Sequence, residues 1–268
     1  MCELFAMSSM APTDIQFSLG IFAQHGAIGR SPIDGWGLAF YDECDVRLYK
    51  EPEPAGRSDW VSFIERHGQH SNLVLSHIRR ATQGAISLRN TQPFVRELGG
   101  RAHVFAHNGD LPAIDRRMAG RWKRFHPIGQ TDSEIAFCVL LEALSMLWVD
   151  RGVPSVADRA SIIRGVAAEF RELGPANFLY TDGDVLFAHG HRRIQPGGTV
   201  APPGLYSLRR TCRVDDEAST SSGVRIDMVG AAQEVMLFAS VPLTEEPWDG
   251  LPQGELTAVR SGRQIPLA

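Results

Sequence analysis

Two amphipathic stretches at the middle of the chain constrain its fold more than any other feature. Thr131-Asp132-Ser133-Glu134 has the form of a capping box, in which Thr and Glu side chains satisfy the free N–H groups of a helix start. Behind it Phe137, Leu140, Leu141, Leu144 and Leu147 recur at helical spacing. A second helix is expected from about Asp158 to Leu173, with Ile162, Ile163, Val166, Ala167 and Phe170 inward, stopped by Gly174-Pro175. Strand patterns lie on both sides of this pair. Before it come Cys2 to Met7, the end of Asp34 to Tyr41, Val46 to Lys50, Asn72 to Arg79 and Ala102 to Ala106. After it come Asn177 to Tyr180 and Val185 to Ala188 around a turn at 181–184, then Leu205 to Leu208, Val224 to Met228, Glu234 to Ala239 and Glu255 to Val259. Two further helices are expected, one capped by Ser58 through Trp60, Phe63 and Ile64. The other is capped by Thr13, runs through Ile15, Phe17, Leu19, Ile21 and Phe22, and ends at Gly26 and Gly29. Residues 212–223, small and polar, read as a mobile loop. Strands before and after a central helix pair predict an α+β chain with helices stacked on antiparallel sheets.

Composition narrows the function classes. The chain has 268 residues, 43% hydrophobic, enough for a substantial core. The net charge of −4 offers no basic face for nucleic acid. There is no run of about 18 apolar residues, and hence no expected membrane partner. Glu3 and Asp14 within the first twenty residues argue against a signal peptide. Cys2, Cys44, Cys138 and Cys212 are widely spaced, which suits a reducing cytoplasm and neither a disulfide framework nor a cysteine zinc site. His189-Gly190-His191 lacks a third ligand, so no metal is expected there and the pair reads as solvated in a turn. Cys138 falls on an apolar helix face, an inert core thiol.

Removal of Met1 would make Cys2 the amino terminus. One residue would then carry a thiol and an α-amine with a pKa near ~7.7–8.0, a nucleophile with its own base. The competing reading is a small buried hydrophobe. Arg79 ends a strong strand pattern where a ligand-facing guanidinium could grip a carboxylate, or could form a surface ion pair. Asn108-Gly109 offers an amide and a backbone N–H to a developing oxyanion, or forms a type I′ hairpin turn. Asp132 suits both an ammonium ligand and the dipole of its helix. The glycines around Trp36 mark a close backbone approach.

Together Cys2, Asp34-Gly35-Trp36-Gly37, His77-Ile78-Arg79-Arg80-Ala81-Thr82, His107-Asn108-Gly109 and Gly129-Gln130-Thr131-Asp132-Ser133-Glu134 resemble the class II glutamine amidotransferases, which are N-terminal nucleophile (Ntn) hydrolases. Met1-Cys2-Glu3-Leu4 and Asn90-Thr91-Gln92-Pro93-Phe94 are most similar to the stand-alone YafJ-like branch. The resemblance implies a four-layer αββα sandwich of two antiparallel sheets flanked by helices, filling residues 2–268 as a single domain. Its motifs lie within about residues 2–190, and the β-rich tail covers 191–268. It implies a cofactor-free glutaminase releasing ammonia from glutamine or a γ-glutamyl small molecule. Cys2 would be the nucleophile, and Asn108 and Gly109 the oxyanion hole. Arg79 would hold the α-carboxylate and Asp132 the α-ammonium, with Thr82 and Trp36 in the pocket wall. Gln92 stands where relatives often carry His, and Ser31, beside Arg30, where some carry an arginine that approaches the nucleophile. With no synthase domain expected after the motifs, the ammonia acceptor would be a separate synthase subunit, or the chain a free-standing amidohydrolase. A glutamine-binding sensor with negligible turnover is the reading from another class. Oligomeric state is not read from the sequence.

Overall fold

The computed structural model describes residues 2–17, 34–149, 152–212, 224–227 and 233–267. In chain order the first strands are β1 (Glu3–Phe17), β2 (Gly35–Asp42) and β3 (Asp45–Glu51), followed by helix α1 (Asp59–His67) and β4 (His70–Arg79). Next come β5 (Phe94–Leu98), β6 (Arg101–Gly109), the short α2 (Ile114–Arg117), and the central helices α3 (Asp132–Leu144) and α4 (Val156–Leu173). Then follow β7 (Ala176–Thr181), β8 (Leu186–His189), β9 (Arg193–Ile194), β10 (Val200–Ala201), β11 (Tyr206–Cys212) and β12 (Val224–Asp227). The last are β13 (Gln233–Ala239), β14 (Asp249–Gly250), β15 (Leu256–Arg260) and β16 (Arg263–Ile265).

Among the described residues two large sheets form. Sheet one runs β14-β11-β13-β1-β4-β2-β3, with β12 also on β1; sheet two runs β16-β15-β8-β7-β6-β5. Both are antiparallel. The strands before and after the helix pair contribute to each sheet, so the chain closes on itself. Between the sheets lie Leu4, Ala6, Leu75, Val104, Ala106, Leu179 and Phe238. Phe5, Met7, Trp36 and Leu38 point to the other side of sheet one, with Val61 and Ile64 of α1. Phe105 and Phe178 leave sheet two toward Phe137, Leu140, Ile163 and Phe170 of the central helices. This is the expected four-layer αββα sandwich. Both faces of β1 are buried, which is why Leu4 to Met7 is a continuous apolar run and not an alternating one. No described helix is long and apolar enough to cross a membrane.

Several expectations are corrected. No helix begins at Thr13: β1 continues to Phe17, with a register shift between Ser8 and Thr13 and backbone pairing of Ile15 to Ile226. Apolar residues at 15, 17, 19 and 21 are spaced by two, which is strand alternation and not a helical stripe. Positions 19–29, Arg30, Ser31 and most of the loop expected over 212–223 lie outside the described residues. Asn108-Gly109 is no hairpin turn, because β6 continues through both, opposite Asn177 and Ala176. His189 and His191 are buried, not solvated. His189 Nδ1 faces Ala176 O at 2.7 Å and its Nε2 faces Arg171 Nη1 at 3.0 Å. Cys138 lies fully buried in the helix-side core, and burial pushes its thiol up to about 12.

Candidate active site

Cys2 immediately precedes β1, whose first pairs, Glu3 with Ile78 and Leu4 with His77, lay it beside the end of β4. Alternation puts Cys2 on the same face as Leu4 and Ala6, at the open end of the space between the sheets. Its Sγ accepts from Arg80 N–H at 3.2 Å and donates to Arg80 O at 3.4 Å. Burial pushes the thiol pKa up, against the opposing pull of the Arg80 N–H and the Arg79 charge; Glu3 adds to the rise. The thiol is therefore protonated at neutral pH and needs a base.

The chain turns away from Cys2 under firm control. Asp34 accepts from Ala81 N–H at 2.8 Å through Oδ2, and its own N–H donates to Arg79 O at 2.9 Å. This pins the exit of β4. Gly37 explains its neighbour: a Cβ there would stand 2.2 Å from Gln92 O, so only glycine lets the 90–93 loop close on β2. Gln92 then clamps β6, accepting from His107 N–H at 2.7 Å and donating to His107 O at 3.2 Å.

One cleft collects Cys2, Arg79, Thr82, Gly109 and Asp132. Arg79 is 3% exposed; its Nη2 donates to Gln83 O at 3.0 Å and Gly84 O at 3.3 Å, while Nη1 has no partner. Asp132 stands at the first turn of α3, its Oδ1 on Ser133 N–H and its Oδ2 on Leu111 N–H, both at 2.8 Å. A carboxylate has further lone pairs, so both bonds leave room for an ammonium. Asn108 donates from Nδ2 to the Cys2 carbonyl. Gly109 has no room for a side chain, since a Cβ would fall 1.8 Å from Pro175 O.

Trp36 is placed elsewhere. It is fully buried in the core on the far side of sheet one and is not in the cleft wall. Residues to which the sequence reading assigned no role line the cleft instead: Asn90, Gln92, His107, Thr131 and Ser133. Gln83 bridges the mouth, donating to Asp110 Oδ1 at 2.5 Å. The Asn-Thr-Gln-Pro, His-Asn-Gly and Thr-Asp-Ser stretches marked these segments, but no periodicity says which of their side chains face the cleft. Two histidines near the nucleophile are poor bases. Burial, with His107 and Arg79 adding to it, pushes His77 down to about 3. His107 is also pushed down by burial, and its Nδ1 is engaged by Ser133 Oγ at 2.9 Å. Among the described residues no group of three or more His, Cys, Asp or Glu is arranged to hold a metal.

Residues 1–268 match the family described as glutamine amidotransferases class-II. A protein of Escherichia coli K12, provisionally named glutamine amidotransferase YafJ, is 34% identical over 99% of this chain and 100% of its own. A Haemophilus influenzae protein with the same provisional family name is 32% identical over 99% of this chain and 86% of its own. A Pseudomonas aeruginosa PA01 crystal structure described as a predicted glutamine amidotransferase superposes with a TM-score of 0.70 at 31% identity, covering 99% of this chain and 100% of that one. Glutamine phosphoribosylpyrophosphate amidotransferase of Bacillus subtilis shares the fold, with a TM-score of 0.57 at 14% identity over 98% of this chain and 48% of that one. The chain belongs to the class II glutamine amidotransferases, in the branch that includes YafJ.

Proposed function

We propose that this chain hydrolyses the side-chain amide of glutamine, or of a γ-glutamyl compound, through a Cys2 thioester. The observation that carries the reading is the buried, unpartnered Nη1 of Arg79 in the cleft that also holds Cys2 and Asp132. A buried guanidinium donor without an acceptor is costly unless a ligand supplies one, and an α-carboxylate does. Asp132 takes the α-ammonium. These two anchors set the side-chain amide toward Cys2.

The raised thiol pKa demands a base, and the depressed histidines do not serve. Loss of Met1 supplies one, the α-amine of Cys2. It takes the thiol proton as sulfur attacks the amide carbon. The oxyanion is met by the second N–H of the Asn108 side chain and by the Gly109 N–H. Collapse expels ammonia, protonated by the α-ammonium. Water, deprotonated by the same amine, then cleaves the thioester to glutamate. A free Cys2 thiol suits a reducing compartment such as the cytoplasm.

The test is ammonia release from glutamine and from a panel of γ-glutamyl amides, with intact mass read on the same sample. Active protein should lack Met1, and Cys2→Ala should bind glutamine without turning it over. Full activity with Met1 retained on every chain would sink the α-amine mechanism. Tight glutamine binding by processed wild type without any release would make the chain a sensor instead.

A further inference from the structure

The reaction scheme leaves one buried assembly beside the site unused. Residues 190–193 lead from β8 of sheet two into β9, which pairs with β10 in a separate two-stranded ribbon, and they are fastened to both large sheets. On sheet two the fastener is Asn177, fully buried on β7 opposite Asn108. Its Nδ2 donates to Asn108 O at 3.0 Å and to Arg192 O at 2.9 Å, and its Oδ1 accepts from His191 N–H at 2.7 Å. His191 Nδ1 in turn accepts from Ala176 N–H at 3.2 Å. A Cβ at position 204 would stand 1.7 Å from Asn177 Oδ1, so only glycine there leaves the amide its place. On sheet one the fastener is Arg193. Its Nη2 donates to Glu3 Oε1 at 3.1 Å, and its Nη1 donates to Ser240 O. Ser240 Oγ donates to Glu3 Oε2 at 2.8 Å and accepts from Leu4 N–H at 2.6 Å, while Ser240 N–H donates to Leu4 O at 3.0 Å.

We propose that His191-Arg192-Arg193 is a strut that sets the distance between the nucleophile and its oxyanion donors, with Asn177 and Arg193 as positioning residues. The proposal rests on the assignment of Cys2 as nucleophile and Asn108 as oxyanion donor. The two groups sit on different sheets, and the bond that joins them directly, Asn108 Nδ2 to Cys2 O, is a hinge by itself. The strut adds a second tie, from the backbone of Asn108 to the side chain of Glu3, the residue after the nucleophile. Two ties fix a spacing that one leaves free. A buried ion pair is a poor device for stability alone, because desolvation offsets most of its attraction. Its directional fork suits the fixing of a geometry. Acyl transfer is sensitive to such geometry, a misplacement of about 1 Å being able to cost about 10²-fold in rate.

The experiment is steady-state glutamine hydrolysis by Glu3→Gln/Arg193→Gln, which leaves no unpaired buried charge, in wild-type and Asn108→Ala backgrounds. In the wild-type background kcat should fall by about 10²-fold with KM changed by less than about threefold. In the Asn108→Ala background the same pair should cost less than about tenfold, because the donor whose distance it sets is gone. Arg193→Lys keeps the charge on Glu3 and loses the fork to Ser240; should the double variant not fold, it should give the same kcat-selective loss. An unchanged kcat in a folded variant overturns the strut, and so does an equal loss in both backgrounds. If wild type itself releases no ammonia, the reading of the site fails first. The strut is then judged by the rate at which iodoacetamide alkylates Cys2, which should shift several-fold in either variant and overturns the strut if unchanged.

Discussion

Arg79 holds the loop over its own cleft with one nitrogen and leaves the other without a partner. Truncating one partner of a desolvated charge pair costs about 2–5 kcal/mol. Arg79→Ala should thus lower kcat/KM for glutamine at least about tenfold, the equivalent of 1.4 kcal/mol. Arg79→Lys should not restore it, because a point charge does not reproduce the fork. Glutamine esterified at the α-carboxylate should be a poor substrate for wild type and far less discriminated against by Arg79→Ala. An unchanged ratio of kcat/KM between the two substrates would remove Arg79 from carboxylate recognition. Asn108→Ala should lower kcat by about 10²–10³ with a smaller change in KM, as expected for a donor to a developing oxyanion; a change confined to KM would leave it a binding residue only. Arg79 and Asp132 were legible because a strand break and a helix cap mark their places. Trp36 was not. Its flanking glycines do signal close approach, but β2 is buried on both faces, so its pattern carries no information about which face a side chain takes.

At the scale of elements, the start of α3 shows what a motif does and does not specify. Thr131 Oγ1 accepts from Glu134 N–H at 3.3 Å, as a capping box requires. Glu134 does not reach back to complete the box. Its Oε2 takes Gly129 N–H at 2.6 Å and its Oε1 takes Arg96 Nη2 at 2.5 Å. The helix start is thereby tied to β5 and to the loop that delivers Asp132. Thr131→Ala should cost about 1 kcal/mol, an ordinary cap loss. Glu134→Ala should cost about 3–5 kcal/mol, because it strands the Arg96 charge at a largely buried site. Urea unfolding of the two variants separates these values, and equal losses would mean that the Arg96 tie contributes nothing. The same contest between local and long-range preference decided Asn108-Gly109. The dipeptide favours a turn, but pairing with β7 across sheet two prevails and keeps it in the strand.

Over the whole molecule, the elements were legible because helices and strands differ in period, and the layer order followed from the family resemblance, whereas strand order and register depend on contacts between residues far apart in sequence. Glu3 and Arg193 lie 190 positions apart, and no local pattern announces their meeting. The same is true of the buried histidines, which set how the fold responds to acid. Burial pushes His77 and His189 down to about 3, and His103 and His191 to about 4. The bonds of His189 and His191 agree with neutral rings, since each has a ring nitrogen facing an N–H donor. A second proton on His189 would set its Nε2 against the Arg171 guanidinium. In the unfolded chain these rings titrate near ~6.5. Above that value both states are neutral and stability does not depend on them. As pH falls below it, the unfolded chain binds protons that the folded chain refuses, so stability is lost progressively down to the folded values. Each ring contributes at most about 1.4 kcal/mol per pH unit. The urea midpoint should therefore be level above about pH 7 and decline between about pH 6.5 and about pH 5, before most carboxylates protonate. His189→Gln, which keeps a neutral polar side chain, should shallow that decline. A midpoint that stays level to about pH 5 in wild type would show that the fold does not hold these rings neutral.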